Sequence, residues 1–117
     1  MAAQATAATG QNVVMWAGDQ IDIRVPIRGS SGEPVALPGA AGHYYIERNG
    51  DVVLHKSGAG VTIENDAGLF TLVIALDRSD TESFSGRYDH RFRIVDGDNR
   101  LITVAVGTLQ VQASPAL

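Results

Sequence analysis

From Gln11 onward, apolar and polar residues alternate with a period of two, the spacing that sends successive side chains of a strand to opposite faces. Ile21, Ile23, Val25 and Ile27 alternate with Asp22, Arg24 and Pro26, which predicts a half-buried strand. Pro26 lacks a backbone donor, so this strand is expected at a sheet edge or a bulge. The turn-rich stretch Gly29–Gly39 suits a Greek-key crossing from one sheet to another. His43–Arg48 and Asp51–Lys56 flank Asn49-Gly50, a pair that readily takes positive φ at both turn centres, and so predict a β-hairpin. A short strand at Val61–Glu64 follows the Gly58-Ala59-Gly60 turn. Phe70, Leu72, Ile74 and Leu76 then alternate with Thr71, Val73 and Ala75. Because those three outward residues are also apolar or neutral, a partner or a second layer is expected over that face.

The segment Asp77–Ser85 has room for one helical turn, with Asp77 or Ser79 as cap and Phe84 turned inward. After it, Tyr88, His90, Phe92 and Ile94 form the inner set of a strand, with Asp89, Arg91 and Arg93 outside. Asp96-Gly97-Asp98-Asn99 turns the chain into a final strand, Leu101–Gln112. There Ile102, Val104 and Val106 share one parity while Leu109 and Val111 have the other, so a glycine bulge is expected at Gly107. About seven strands with frequent turns and no helical stretch predict an all-β, immunoglobulin-like antiparallel sandwich. The expected organisation is a flexible Ala/Thr-rich arm over 1–11, the sandwich over 12–112 and a short tail over 113–117.

Composition narrows the functional classes. The 117 residues contain no cysteine, which removes disulfides, thiolate metal sites and thiol nucleophiles. A net charge of −4 argues against broad binding to nucleic-acid phosphates. Arg87, Arg91 and Arg93 share one strand face, read as solvated cations answering nearby carboxylates. No apolar run is long enough for a membrane helix, and the first ten residues lack the charged and apolar regions of a secretory signal.

Local motifs offer fold chemistry rather than catalysis. Gly86-Arg87-Tyr88 follows a polar turn at a strand entrance, the setting of a tyrosine corner, in which a buried phenol bonds back to upstream backbone. His43, His55 and His90 have no metal-ligand spacing, and His90 has the inner parity of its strand. Asp96-Gly97-Asp98-Asn99 resembles a fragment of a calcium loop without the remaining ligands or the closing glutamate. With no nucleophile–base pair or phosphate-cradling loop, no catalytic residue, cofactor or metal is expected, and the chain is read as non-enzymatic. Trp16, Tyr44 and Tyr45 are candidate interface or sugar-platform aromatics. Tyr44 and Tyr45 are adjacent, so one must point outward; Thr71 and Val73 complete the interface candidates.

The order of short motifs carries a family likeness. It runs Gly18-Asp19, Leu37-Pro38-Gly39-Ala40, Lys56-Ser57, Gly60-Val61-Thr62-Ile63, Gly68, Asp80-Thr81, Gly86-Arg87-Tyr88 and Gly107-Thr108-Leu109-Gln110-Val111. Over residues 16–112 this resembles the small immunoglobulin-like structural proteins of tailed-bacteriophage virions, and among them the amino-terminal domain of baseplate upper proteins. In those proteins further segments carry the receptor-binding part, whereas this sequence ends at Leu117 and is read as a free-standing copy. The resemblance implies a tail, baseplate or fibre-attachment adaptor, made in the bacterial host cytoplasm and built into the virion. Its expected partners are other virion proteins, met as multiple copies in a symmetric assembly. Capsid decoration is the alternative within that class, and carbohydrate binding the alternative outside it.

Overall fold

A computed structural model describes residues 11–28, 39–66 and 69–113. Residues 1–10 of the expected arm, 29–38 of the expected crossing and 114–117 of the expected tail lie outside the described residues, whereas Gln11 is held by a backbone bond to Val106. Among the described residues eight strands run in chain order: β1 (Val13–Trp16), β2 (Ile21–Pro26), β3 (Ala41–Arg48), β4 (Asp51–Ser57), β5 (Val61–Asp66), β6 (Leu69–Leu76), β7 (Gly86–Val95) and β8 (Leu101–Gln112). A 3-10 turn, Gly58–Gly60, joins β4 to β5, and one helical turn, α1 (Arg78–Thr81), joins β6 to β7.

The strands form two sheets, of order β1-β8-β7-β3-β4 and β2-β6-β5. This is the arrangement of an immunoglobulin-like sandwich, in which β2, β3, β6, β7 and β8 occupy the places of strands B, C, E, F and G. Among the described residues β2 is an edge strand paired only with β6, which accommodates Pro26 opposite Thr71. The Asn49-Gly50 hairpin joins β3 to β4 with φ of 53° and 83° at the two turn residues. Between the sheets lie Ile23, Val25 and Ile27 from one side and Tyr44, Ile46, Phe92, Ile94 and Leu109 from the other. Each fully buried aliphatic or aromatic side chain of this set contributes about 1.5–3 kcal/mol.

Three expectations need correction. The sheet is not wholly antiparallel: β1, an eighth strand, pairs parallel with β8, Val13 opposite Leu109 and Trp16 opposite Gln112. The bulge in β8 lies at Val104 rather than Gly107. Phe92 pairs with Ala105 and Arg93 with Thr103, so Val104 is the extra residue, and Val104 and Ala105 are both buried. Gly107 pairs regularly with His90 and has a different job. A Cβ there would lie 2.2 Å from the carbonyl oxygen of Gln11, so the glycine makes room for the backbone leading into β1.

The tyrosine corner forms as expected. The Ser85 amide donates to the Tyr88 hydroxyl at 3.2 Å, and Phe84 stacks on the Tyr88 ring at 4.9 Å. Arg48 closes the corner from the hairpin: its guanidinium lies 4.0 Å from the Tyr88 ring centre and donates to the Ser85 carbonyl. Gly86 holds φ of 98°, a conformation that favours glycine. At the opposite edge, Lys56 donates to Asp80 at 2.5 Å and ties β4 to α1. Asp80 also accepts the Asp77 amide at 2.7 Å, which caps the helical turn.

Candidate functional site

The five-stranded sheet presents its outer face through the outward parities of β1, β8, β7, β3 and β4. At one edge, Val14 and Trp16 project from β1 and are 64% and 49% exposed. Met15 between them and Ala17 beyond are buried, so β1 is anchored by one face and offers the other. Gln110 and Gln112 stand opposite Val14 and Trp16 on β8. In the middle of the face, Arg91 donates to Glu47 at 2.9 Å, as expected of the basic stripe, whereas Arg93 is not simply solvated: its Nε is buried.

The candidate aromatics separate sharply. Tyr44 is not an interface residue: its parity turns it into the core, where it is 0% exposed. Its hydroxyl lies 2.9 Å from Nδ1 of buried His90, and His90 Nε2 bonds the Gln11 carbonyl. A carbonyl only accepts, so Nε2 carries the proton, Nδ1 accepts, and the Tyr44 hydroxyl donates. Burial pushes the Tyr44 phenol well above its ordinary value. Desolvation likewise holds His90 below the usual histidine value, partly opposed by the Gln11 bond and the charge of Asp89. His90 is therefore a neutral core histidine that ties Gln11, just ahead of β1, to β3 and β7.

Tyr45 is the outward tyrosine. It does not lie open as a platform, because His55 from β4 stacks on it at 4.5 Å with the rings 2° from parallel. His43, two residues before Tyr45, places Nδ1 3.0 Å from His55 Nε2. This cluster of two imidazoles and a phenol went unseen in the sequence. A two-residue hairpin loop with unbroken pairing would set His55 opposite Tyr44 on the inner face. The register shift after Ile46 leaves Val53 as an extra residue and moves His55 opposite Tyr45. The signal was present as Val52-Val53-Leu54, an apolar run that breaks the alternation.

Thr71 and Val73 on β6 face away from the core of the three-stranded sheet, yet Val73 is only 8% exposed. Arg24 on β2 bonds both oxygens of Glu64 on β5, at 3.0 and 3.1 Å, across the intervening β6. A partner or a second layer was expected over this face; a cross-strand ion pair spans it.

The calcium-like turn is satisfied internally. Asp96 accepts from the amides of Asp98 and Arg100 and from the Arg100 guanidinium, at 2.9–3.0 Å. The Arg100 amide bond, with further bonds and charge from Arg100 and Asp98, holds its carboxyl below the ordinary range despite burial. Among the described residues, no three His, Asp or Glu side chains come together as a metal-ligand group. None of their helices is long and apolar enough to cross a membrane.

No family model and no curated protein matches the chain. Solved structures that resemble it at low identity include the following two. The fibronectin(III)-like modules of Clostridium thermocellum CbhA match with 14% identity and a TM-score of 0.46, over 95% of this chain and 96% of theirs. CopC from Methylosinus trichosporium OB3b matches with 15% identity and a TM-score of 0.41, over 100% of this chain and 90% of its own. Strand order and pairing, rather than these distant likenesses, define the immunoglobulin-like fold.

Proposed function

We propose that this chain is a non-enzymatic structural protein of a tailed-bacteriophage particle, serving as a tail, baseplate or fibre-attachment adaptor. The observation that carries this reading is the exposed apolar pair Val14 and Trp16 on β1, an outer strand of the five-stranded sheet. A large aromatic left in water beside a branched aliphatic costs hydration free energy that a protein partner recovers by covering both. An edge strand also has backbone groups directed away from its sheet, which a neighbouring strand can pair. Trp is among the residue types enriched at the energetic centres of protein interfaces. The motif resemblance over 16–112 supports assigning such contacts to a virion.

Because Val14 and Trp16 contribute little to the core, replacing both with serine leaves the fold intact. In particles assembled with a Val14→Ser, Trp16→Ser chain, occupancy of the protein is expected to fall at least tenfold, with the isolated chain's unfolding midpoint unchanged. Full occupancy by the double variant would remove β1 as the joining element. No glycan role is favoured, because His55 already covers one face of the outward Tyr45.

A further inference from the structure

The geometry points to a binding site for a divalent first-row transition ion at His43 and His55, on the outer face of β3 and β4. Their facing nitrogens, Nδ1 and Nε2, are 3.0 Å apart. Two imidazole nitrogens bound to one ion at about 2.0–2.1 Å, at an angle between square and tetrahedral, are about 2.9–3.3 Å apart. The hydrogen-bonded pair therefore holds its nitrogens at a separation compatible with shared coordination, which the rings reach by turning towards a common ion.

The donors are supported by their surroundings. The Tyr45 ring packs on His55, 2° from parallel, and both histidines sit on hydrogen-bonded strands of one hairpin. His55 is exposed and His43 half-buried, so an ion reaches the site from solvent.

In the ion-free pair, the rings are 20° from parallel with centres 5.2 Å apart, so the two nitrogens point at each other and share one proton. Binding requires that proton to pass through solvent to the other nitrogen of the same ring. Both rings then turn about their Cβ–Cγ bonds, each giving a lone pair to the ion. Two waters leave the ion, two metal–nitrogen bonds form, and the neutral pair releases no net proton. Glu47, on the same face of β3 as His43, is engaged by Arg91, so the remaining coordination positions are left to water. Arg93 pairs with His43 on the neighbouring strand and its charge works against any dication, so binding rests on the two metal–nitrogen bonds.

Among imidazole-binding divalent ions, Cu2+ binds most strongly and is the appropriate probe. Titration of Cu2+ into the full chain, followed by calorimetry and electron paramagnetic resonance, is expected to show one ion per chain with two equivalent-class nitrogen ligands. His55→Asn removes an exposed ring that contributes nothing to the core, and should weaken binding at least tenfold without moving the unfolding midpoint. His43→Asn should do the same, and the double variant should lose the two-nitrogen signal. If His55→Asn binds within twofold of wild type, or the two-nitrogen signal persists in the double variant, the pair is not the site. Absence of binding to the wild-type chain overturns the proposal equally.

Discussion

Gly107→Ala tests the packing of β1 most severely, because Gly107 is not among the positive-φ residues and alanine fits its backbone. Any cost must come from space. An added Cβ would lie 2.2 Å from the Gln11 oxygen, 2.5 Å from its carbonyl carbon and 2.9 Å from its nitrogen. All three are backbone atoms, so no side chain can swing aside. Relief requires Gln11 to withdraw by roughly 1 Å, to ordinary contact distance. That movement breaks the Gln11 amide bond to the Val106 carbonyl at 3.2 Å and the His90 bond to the Gln11 carbonyl. It also strains the bonds from the Thr108 amide and hydroxyl to Asn12 Oδ1, both 3.0 Å. Loss of two to three bonds at about 0.5–1.5 kcal/mol each predicts a destabilisation of about 1–4.5 kcal/mol. Urea unfolding measures the total. Hydrogen exchange locates it, with amides of β1 expected to lose protection first and those of β7 to keep theirs. A variant within about 0.5 kcal/mol of wild type, with β1 still protected, would refute the close approach of Gln11 to β8.

Two further perturbations examine the same core. Tyr44→Phe removes the donor to His90 Nδ1 and leaves a buried acceptor unpaired, so stability should fall by about 1–3 kcal/mol in chemical denaturation. Lowering pH should also weaken the fold through His90. Its folded pKa lies below the ordinary 6.5, so the unfolded chain takes up the proton first. The stabilisation is complete above about pH 6.5 and declines as pH falls towards the folded value. Asp96, held below 3.8, contributes its own loss only in more acidic solution. A His90→Gln chain should lack the first slope and keep the second; identical profiles would contradict the role given to His90.

Much of the fold was legible because its signals are local. Alternation placed β2, β6 and β7, Asn49-Gly50 placed the hairpin, and the polar turn before Tyr88 placed the corner. What escaped depends on pairing between distant residues. β1 reads as four consecutive apolar residues, Val13-Val14-Met15-Trp16, and shows its two faces only when it lies beside β8. The change of parity in β8 was visible, but its location was not. Val104 carries the bulge, while Gly107 is small for the sake of Gln11, far away in sequence. The candidate site was legible only in part. Trp16 and Tyr45 do face outward, but Tyr44 turns inward to His90, and the His43–His55 pair depends on a one-residue slip in β4. Such a slip exchanges the two faces of a strand, so a single unread bulge conceals a whole cluster.

Electron cryomicroscopy of particles purified from the bacterial host that carries this coding sequence tests the proposed function most directly. The expected result is density for this sandwich in several symmetry-related copies at the tail or baseplate, with the β1 edge and Trp16 against a neighbouring protein. Copies on the capsid surface would overturn the tail assignment. Absence of the chain from purified particles would contradict the virion role altogether.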